Sequence, residues 1–322
     1  MSSRPDPMVP PLLALVVPCY NEEETLPRTL DALAALLDRC KESGLIARES
    51  FALYVDDGSR DRTWQLLEER HKTDAFCRAI SFAANAGHQN AVWAGMDTAR
   101  QWGVDCIISL DADLQDDIAA IPEMLARYAE GCDIVYGVRN DRSSDTSFKR
   151  GTARFFYRFM SWLHVRLIPD HADYRLVARP VLDVLPSYGE QGLFLRGLFP
   201  ALGFRSAKVY YRRLSRQAGE SKYPLLKMLS FAWKGITSCS AAPLRLAGVM
   251  SLACMLAALA YSLVSLGKYM LGETIQGWTS MIIVVLLLGS VQLFCLAVMG
   301  EYLAKIFTEV RHRPRYIVEK TL

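Results

Sequence analysis

The chain has 322 residues, 51% of them hydrophobic, and a formal net charge of +3, too small to argue for a nucleic-acid partner. Its eight cysteines show no CxxC spacing and no Cys/His pairing; they read as small buried hydrophobes in a reducing compartment rather than as a metal or disulfide framework. The length allows one large or two ordinary domains, and the apolar excess gathers toward one end.

Residues 1–11 read as a flexible N-terminus. The apolar run at 12–17 is too short for a secretory signal and ends in Pro18, followed by Asn21, Glu22, Glu23 and Glu24, so it reads as a buried strand. Short apolar runs then alternate with amphipathic stretches. Strands are predicted at 12–17, 51–55, 77–82, 104–110 and 133–137, and helices at 25–40, 61–72, 89–102 and 118–130. This alternation predicts an α/β fold, a parallel sheet flanked by helices. Ligands of such sheets bind beyond the carboxyl ends of the strands. The residues there are polar: Pro18-Cys19-Tyr20-Asn21-Glu22, Asp56-Asp57-Gly58-Ser59, Asn85-Ala86-Gly87-His88-Gln89, Asp111-Ala112-Asp113-Leu114-Gln115-Asp116-Asp117, and Arg139.

Residues 148–168 and 223–239 turn aromatic and basic, in the manner of helices that lie in a bilayer interface, and a juxtamembrane interfacial helix is expected over 216–243. Between Arg245 and Lys268, and again between Glu273 and Glu301, no residue is charged. Each run as a helix spans a hydrocarbon core of about 30 Å. Core helices of soluble domains rarely lack charge over such a length. Two transmembrane helices are therefore expected, over about 244–267 and 277–303, with 305–322 a basic tail. Lys222, Lys227, Lys234 and Arg245 precede the first span, and Lys305, Arg311, Arg313 and Arg315 follow the second. The connection offers only Lys268, which places both chain ends in the cytoplasm.

Asp111 and Asp113 close an apolar strand, with Asp116 and Asp117 close behind. Carboxylates so crowded repel one another unless a cation sits among them. A hard ion such as Mg²⁺ or Mn²⁺ takes one or two carboxylates and completes its shell with phosphates and water, and could neutralise a departing nucleoside diphosphate. Aspartates also gather at helix starts, so Asp116 or Asp117 reads equally as the N-cap of the next helix. Asp56-Asp57 at a second strand end of the same sheet favours the metal reading.

In order along the chain, Val16-Val17-Pro18-Cys19-Tyr20-Asn21-Glu22, Val55-Asp56-Asp57-Gly58-Ser59, Asn85-x-Gly87-His88-Gln89-x-Ala91 and Asp111-Ala112-Asp113-Leu114-Gln115-Asp116 resemble the motifs of family 2 glycosyltransferases, whose GT-A fold is a Rossmann-like nucleotide-sugar-binding domain. Four further segments narrow the likeness: Tyr136-Gly137-Val138-Arg139, Asp173-Tyr174-Arg175-Leu176, Gly219-Glu220-Ser221-Lys222-Tyr223, and Gly300-Glu301-Tyr302-Leu303 through Arg313-Pro314-Arg315-Tyr316. With these the chain is similar to polyprenyl-phosphate glycosyltransferases, the group of dolichyl-phosphate mannose synthase and the bactoprenol glucosyltransferases. Where many relatives have Asp-Pro, this chain has Asp116-Asp117, and its connection over 40–51 is longer than in the simplest relatives.

The resemblance implies a catalytic domain over 12–215, a uridine diphosphate sugar as donor, undecaprenyl or another polyprenyl phosphate as acceptor, and Mg²⁺ or Mn²⁺ as cofactor. It implies an inner-membrane enzyme whose catalytic domain faces the cytoplasm, in contact with membrane lipid and with surface left for self-association. Pro18, Tyr20, Glu22, Asp56, Asp57, Asn85, Gly87, Gln89 and Asp111 would hold the nucleotide sugar, and Asp111, Asp113 and Gln115 the metal. Arg139, Arg150 and Lys222 would hold the lipid phosphate, with Asp113, Arg139 and Lys222 carrying catalysis. His88 would shape the nucleotide pocket. A phosphate monoester is already largely anionic and needs no general base. A sugar hydroxyl would need one, and Asp116, Asp117 or Asp173 would be the candidates. A processive polysaccharide synthase would carry a Gln-x-x-Arg-Trp motif and more spans, which are missing here. A catalytically dead membrane scaffold would have no physical need for clustered carboxylates.

Overall fold

The computed structural model describes residues 9–140, 171–192, 194–212, 242–271 and 277–322. Arg150, Lys222, the aromatic and basic stretches and nearly all of the expected interfacial helix lie outside the described residues. Those described divide into two compact units, residues 9–212 with Arg313–Leu322, and residues 242–312.

The first unit is built on one eight-stranded sheet. In chain order its elements are β1 (Leu13–Cys19), α1 (Leu26–Glu42), β2 (Phe51–Asp56), α2 (Thr63–Thr73), β3 (Cys77–Phe82), α3 (His88–Gln101), β4 (Cys106–Ser109), α4 (Ile121–Ala129), β5 (Ile134–Arg139), β6 (His171–Ala178), α5 (Arg179–Val184), α6 (Leu195–Ala201), β7 (Ser206–Tyr211) and β8 (Val318–Thr321). The strands lie in the order β7-β5-β6-β4-β1-β2-β3-β8. β1 pairs in parallel with β2 and β4, β2 with β3, and β5 with β7. β6 runs antiparallel between β4 and β5, and β8 antiparallel along the outer edge of β3.

Every residue of β1 is buried, as expected of a strand covered on both faces. Alternation sends its side chains to two cores. Leu13, Leu15 and Val17 pack in the core that takes Leu26, Leu30, Leu33 and Leu37 of α1, while Ala14 and Val16 join Ala91, Val92, Ala94 and Met96 of α3. The α3 side is close-fitting. A Cβ on Gly95 would stand 2.3 Å from Val16 Cγ1 and 3.0 Å from Val55 Cγ2, so the absent side chain is what lets this helix rest on the sheet.

The five predicted strands and four predicted helices are all present, with bounds shifted by a few residues. β6, β7 and β8 were not anticipated. In particular, the last residues of the expected basic tail form β8, and just before it Tyr316 stacks on Phe82 with ring centroids 4.9 Å apart.

The second unit consists of α7 (Ala242–Met270) and α8 (Trp278–Val310). Both are long and apolar enough to cross a membrane. They touch through small and slender groups: Ala247 and Val298 are buried, and Cys295 Sγ lies 3.5 Å from Ala247 O and 3.4 Å from Ser251 Oγ. Outside that seam Val249, Leu252, Met255, Leu256, Leu293 and Leu296 are exposed. Only 6% of either apolar window is buried, whereas the core helix of a soluble domain is mostly buried.

Candidate active site

The polar residues that follow β1 to β5 come together along one edge of the sheet. The loops after β1 and β2 are laced to each other. The Asn21 and Glu22 amides donate to Ser59 Oγ and Thr63 Oγ1 at 2.9 Å each, and the Arg60 amide donates to Asn21 Oδ1 at 2.9 Å. Asn21 takes a positive φ of 54°, and so does Leu114 at 51° in the loop after β4. Such backbone is uncommon for a side chain like leucine and marks loops whose shape the surroundings impose. Pro18 lies within β1, Tyr20 is exposed at its end, and Glu22 accepts from Thr25 Oγ1 at 2.6 Å.

Asp56 and Asp57 are both buried and both satisfied by the protein. Asp56 accepts from the Ser59 amide at 3.1 Å and Ser81 Oγ at 2.8 Å. Asp57 accepts from Asn85 Nδ2 at 3.0 Å and from the Ala86 and Gly87 amides at 2.6 and 2.9 Å, so it fixes the turn that leads into α3. Burial raises the Asp57 carboxyl, and those backbone hydrogen bonds offset part of the rise. Gly58 makes the approach feasible. Its φ is +68°, and a Cβ there would lie 2.7 Å from Asn85 N. Of the residues expected at the nucleotide, Asp57, Asn85 and Gly87 thus form one bonded cluster, while the neighbouring Asp56 bonds to Ser59 and Ser81.

After β4, Asp111 keeps 40% of its side chain exposed and faces His88 Nε2 at 3.6 Å. Burial pushes its carboxyl up to about 6, with Asp116, Asp173 and Asp113 adding to the rise against the pull of His88. Asp113 accepts from the Gln115 side-chain amide at 2.6 Å and its backbone amide at 3.2 Å. Among the described residues no group of three or more His, Cys, Asp or Glu gathers to hold a metal by itself. Mg²⁺ or Mn²⁺ sharing its shell with phosphates needs only one or two carboxylates, and crowded oxygen donors at an open edge fit that demand.

The remaining carboxylates are committed. Asp117 caps the short 3-10 turn Ile118–Ala120 through the Ala119 amide at 2.9 Å, as one of the two sequence readings had it. Asp116 is buried and accepts from Tyr211 Oη and, at 3.4 Å, from Arg139 Nη2. Tyr211 is the register partner of Arg139 on the neighbouring strand, so the strand pairing itself delivers the hydroxyl. Arg139, part-exposed at the end of β5, also donates from Nε to Tyr211 Oη at 3.3 Å.

Asp173 on β6 accepts from Arg175 Nη2, from Arg196 Nη2 at 3.1 Å and Gln89 Nε2 at 3.3 Å, and faces His88 Nε2 at 3.5 Å. Gln89 Oε1 in turn accepts from the Leu195 amide at 3.2 Å. Burial alone would raise the Asp173 carboxyl. The His88 hydrogen bond and the charges of Arg175 and Arg196 outweigh it and hold the group well below the usual carboxylate range. Arg175 is fully buried, and a lone guanidinium so placed would cost several kcal/mol. Asp173 is its counter-ion. Sequence reasoning passed over Arg196 and Tyr211, which reach the site only because β6 and β7 extend the sheet past β4.

Residues 14–185 match the family described as Glycosyl transferase family 2. The uncharacterized glycosyltransferase YkoT of Bacillus subtilis (strain 168) is 46% identical over 309 residues, 96% of this chain and 91% of that protein. The SfII prophage-derived bactoprenol glucosyl transferase of Shigella flexneri is 33% identical over 311 residues, 96% of this chain and 98% of that protein. Among solved structures, the mannosyltransferase PcManGT from Pyrobaculum calidifontis, in complex with GDP-Man and Mn²⁺, is 17% identical. It covers 93% of this chain and 89% of its own at a TM-score of 0.46, a likeness too loose to carry an inference.

Proposed function

The chain belongs to glycosyl transferase family 2, and from that premise we propose that it transfers a hexose from a uridine diphosphate sugar to a polyprenyl phosphate such as undecaprenyl phosphate, at the cytoplasmic face of a membrane. The observation that carries this reading is the commitment of the carboxylates. A hydroxyl acceptor must lose a proton to a base. Asp116 is bound by Tyr211 and Arg139, Asp117 caps a turn, and His88, Arg175 and Arg196 hold Asp173 well below the usual carboxylate range, which makes it a weak base. An acceptor that arrives as an anion needs none of them. The 33% identity with a bactoprenol glucosyl transferase, over nearly the whole chain and so including the apolar helices, supports the same acceptor.

The step balances without proton transfer. An acceptor phosphate oxygen forms the new bond to the sugar's anomeric carbon from the opposite face, and the bond from that carbon to the diphosphate breaks, its electron pair leaving on the uridine diphosphate. Arg139, together with Arg150 and Lys222, is assigned to the acceptor phosphate, where guanidinium and ammonium groups align it. Pro18, Tyr20, Glu22, Asp56 and the cluster of Asp57, Asn85 and Gly87 form the nucleotide side, and Gln89 ties it to α6. Asp111, Asp113 and Gln115 are the residues that would hold Mg²⁺ or Mn²⁺. Such an ion neutralises charge gathering on the leaving diphosphate.

Membranes carrying the full chain, given radiolabelled uridine diphosphate sugars and undecaprenyl phosphate, are expected to yield label in the lipid extract. Label that appears only on a water-soluble glycan, or no transfer from any such donor, would overturn the proposal.

A further inference from the structure

The arginines of the active site are paired unequally. Arg139 is answered by Asp116. Asp173, by contrast, serves two guanidiniums, the wholly buried Arg175 and the part-exposed Arg196, whose side chain is 39% accessible. One carboxylate cannot neutralise both. Arg175 has no route to solvent, so of the two only the part-exposed Arg196 can offer its guanidinium to a ligand at the edge of the site. The contact also aims that residue. Its Nε and Nη2 edge docks on the two oxygens of Asp173, at 3.4 and 3.1 Å, leaving Nη1 with no hydrogen-bond partner among the described residues.

The place of Arg196 in the sheet matters as much as its charge. Asp173 stands on β6, between β4, whose end carries Asp111, and β5, whose end carries Arg139. Arg196 is electrostatically attracted by Asp111 and opposed by Arg139, so it lies within range of both. Under the transfer reading, on which this inference rests, negative charge passes from the acceptor phosphate near β5 to the leaving diphosphate near β4. A fixed cation between the two ends stabilises that redistribution, because it needs no reorganisation at the moment of reaction.

We propose that Arg196, oriented by Asp173, is a catalytic residue that contacts a phosphate oxygen during transfer, on the acceptor phosphate or on the donor diphosphate. The two sources separate experimentally. For purified full-length protein with Mn²⁺, affinity for uridine diphosphate and for uridine is measured by titration calorimetry, and initial rates are followed against polyprenyl phosphate concentration. Arg196→Ala is expected to lose on the order of 10²-fold in kcat/KM while keeping its melting temperature, and Arg196→Lys to recover part of the loss. Weakened binding of uridine diphosphate with unchanged binding of uridine assigns the contact to the donor. A raised KM for polyprenyl phosphate with nucleotide binding intact assigns it to the acceptor. If the Ala variant does not fold, Arg196→Gln carries the same readouts. Unchanged nucleotide affinity, acceptor KM and kcat would overturn the proposal, as would a loss that merely follows a fall in melting temperature. If the wild-type protein binds uridine diphosphate yet transfers nothing to polyprenyl phosphate, the acceptor reading fails, and the nucleotide measurement alone decides Arg196, with unchanged affinity counting against it.

Discussion

Strand-end carboxylates in this protein divide by what surrounds them. Asp57 and Asp173 are buried and spend both oxygens on neighbouring groups, one shaping the turn into α3 and the other gathering Arg175, Arg196, Gln89 and His88. Asp111 is instead part-exposed, and partial desolvation together with the carboxylates around it pushes it toward protonation, a situation that a divalent cation would relieve. Asp113→Ala is therefore expected to lower transfer by about 10²-fold or more, and complete chelation should abolish the activity of the unaltered protein until Mg²⁺ or Mn²⁺ is restored. Initial rates on the same membranes, normalised to the amount of protein, check both. Full activity in the variant, or after chelation, would remove the metal from the account. Asp111, Asp113 and Arg139 were visible in the sequence because each follows an apolar run that could only be a strand. Arg196 and Tyr211 were not, since what brings them to the site is sheet pairing far along the chain, which leaves no local signature.

Among the elements, the strands that were legible are those buried on both faces. β1 and β2 are buried throughout and mostly apolar because helices cover the sheet on either side. β6 hides its nature by carrying Asp173 and Arg175, which are tolerated there because each neutralises the other. β7 alternates exposed with buried residues at the edge of the sheet, and β8 is exposed along its whole length. An edge strand held by backbone pairing alone has no apolar pattern to read. β8 covers the outer edge of β3, and Tyr316 stacks on Phe82 beside it while Arg315 lies over the Trp93 ring. Replacing Tyr316 by alanine removes a stacked aromatic pair, costing about 1–2 kcal/mol. The catalytic unit should then melt roughly 2–8 °C lower in detergent. No shift would mean that the stack contributes nothing to holding the final strand.

At the scale of the whole molecule, an α/β catalytic unit and a pair of long apolar helices belong to one chain, and the last ten residues return from the second unit to the first. As helices of 29 and 33 residues, α7 and α8 reach about 44 and 50 Å, more than the hydrocarbon thickness. The proposed orientation rests on the flanking charge. In intact cells, a membrane-impermeant reagent is expected to label a cysteine introduced between Lys268 and Glu273 and to leave one at Arg315 protected; the reverse pattern would overturn the orientation. Under the proposed function, a catalytic unit held at a bilayer, with Arg139 and Arg196 at its reaction edge, would suit an acceptor whose reactive group is a phosphate on a membrane lipid. The most direct measurement offers the same membranes one radiolabelled uridine diphosphate sugar and, in parallel, undecaprenyl phosphate or the undecaprenol that lacks the phosphate. Transfer to the phosphate and none to the alcohol is the predicted result, and comparable labelling of the alcohol would contradict it.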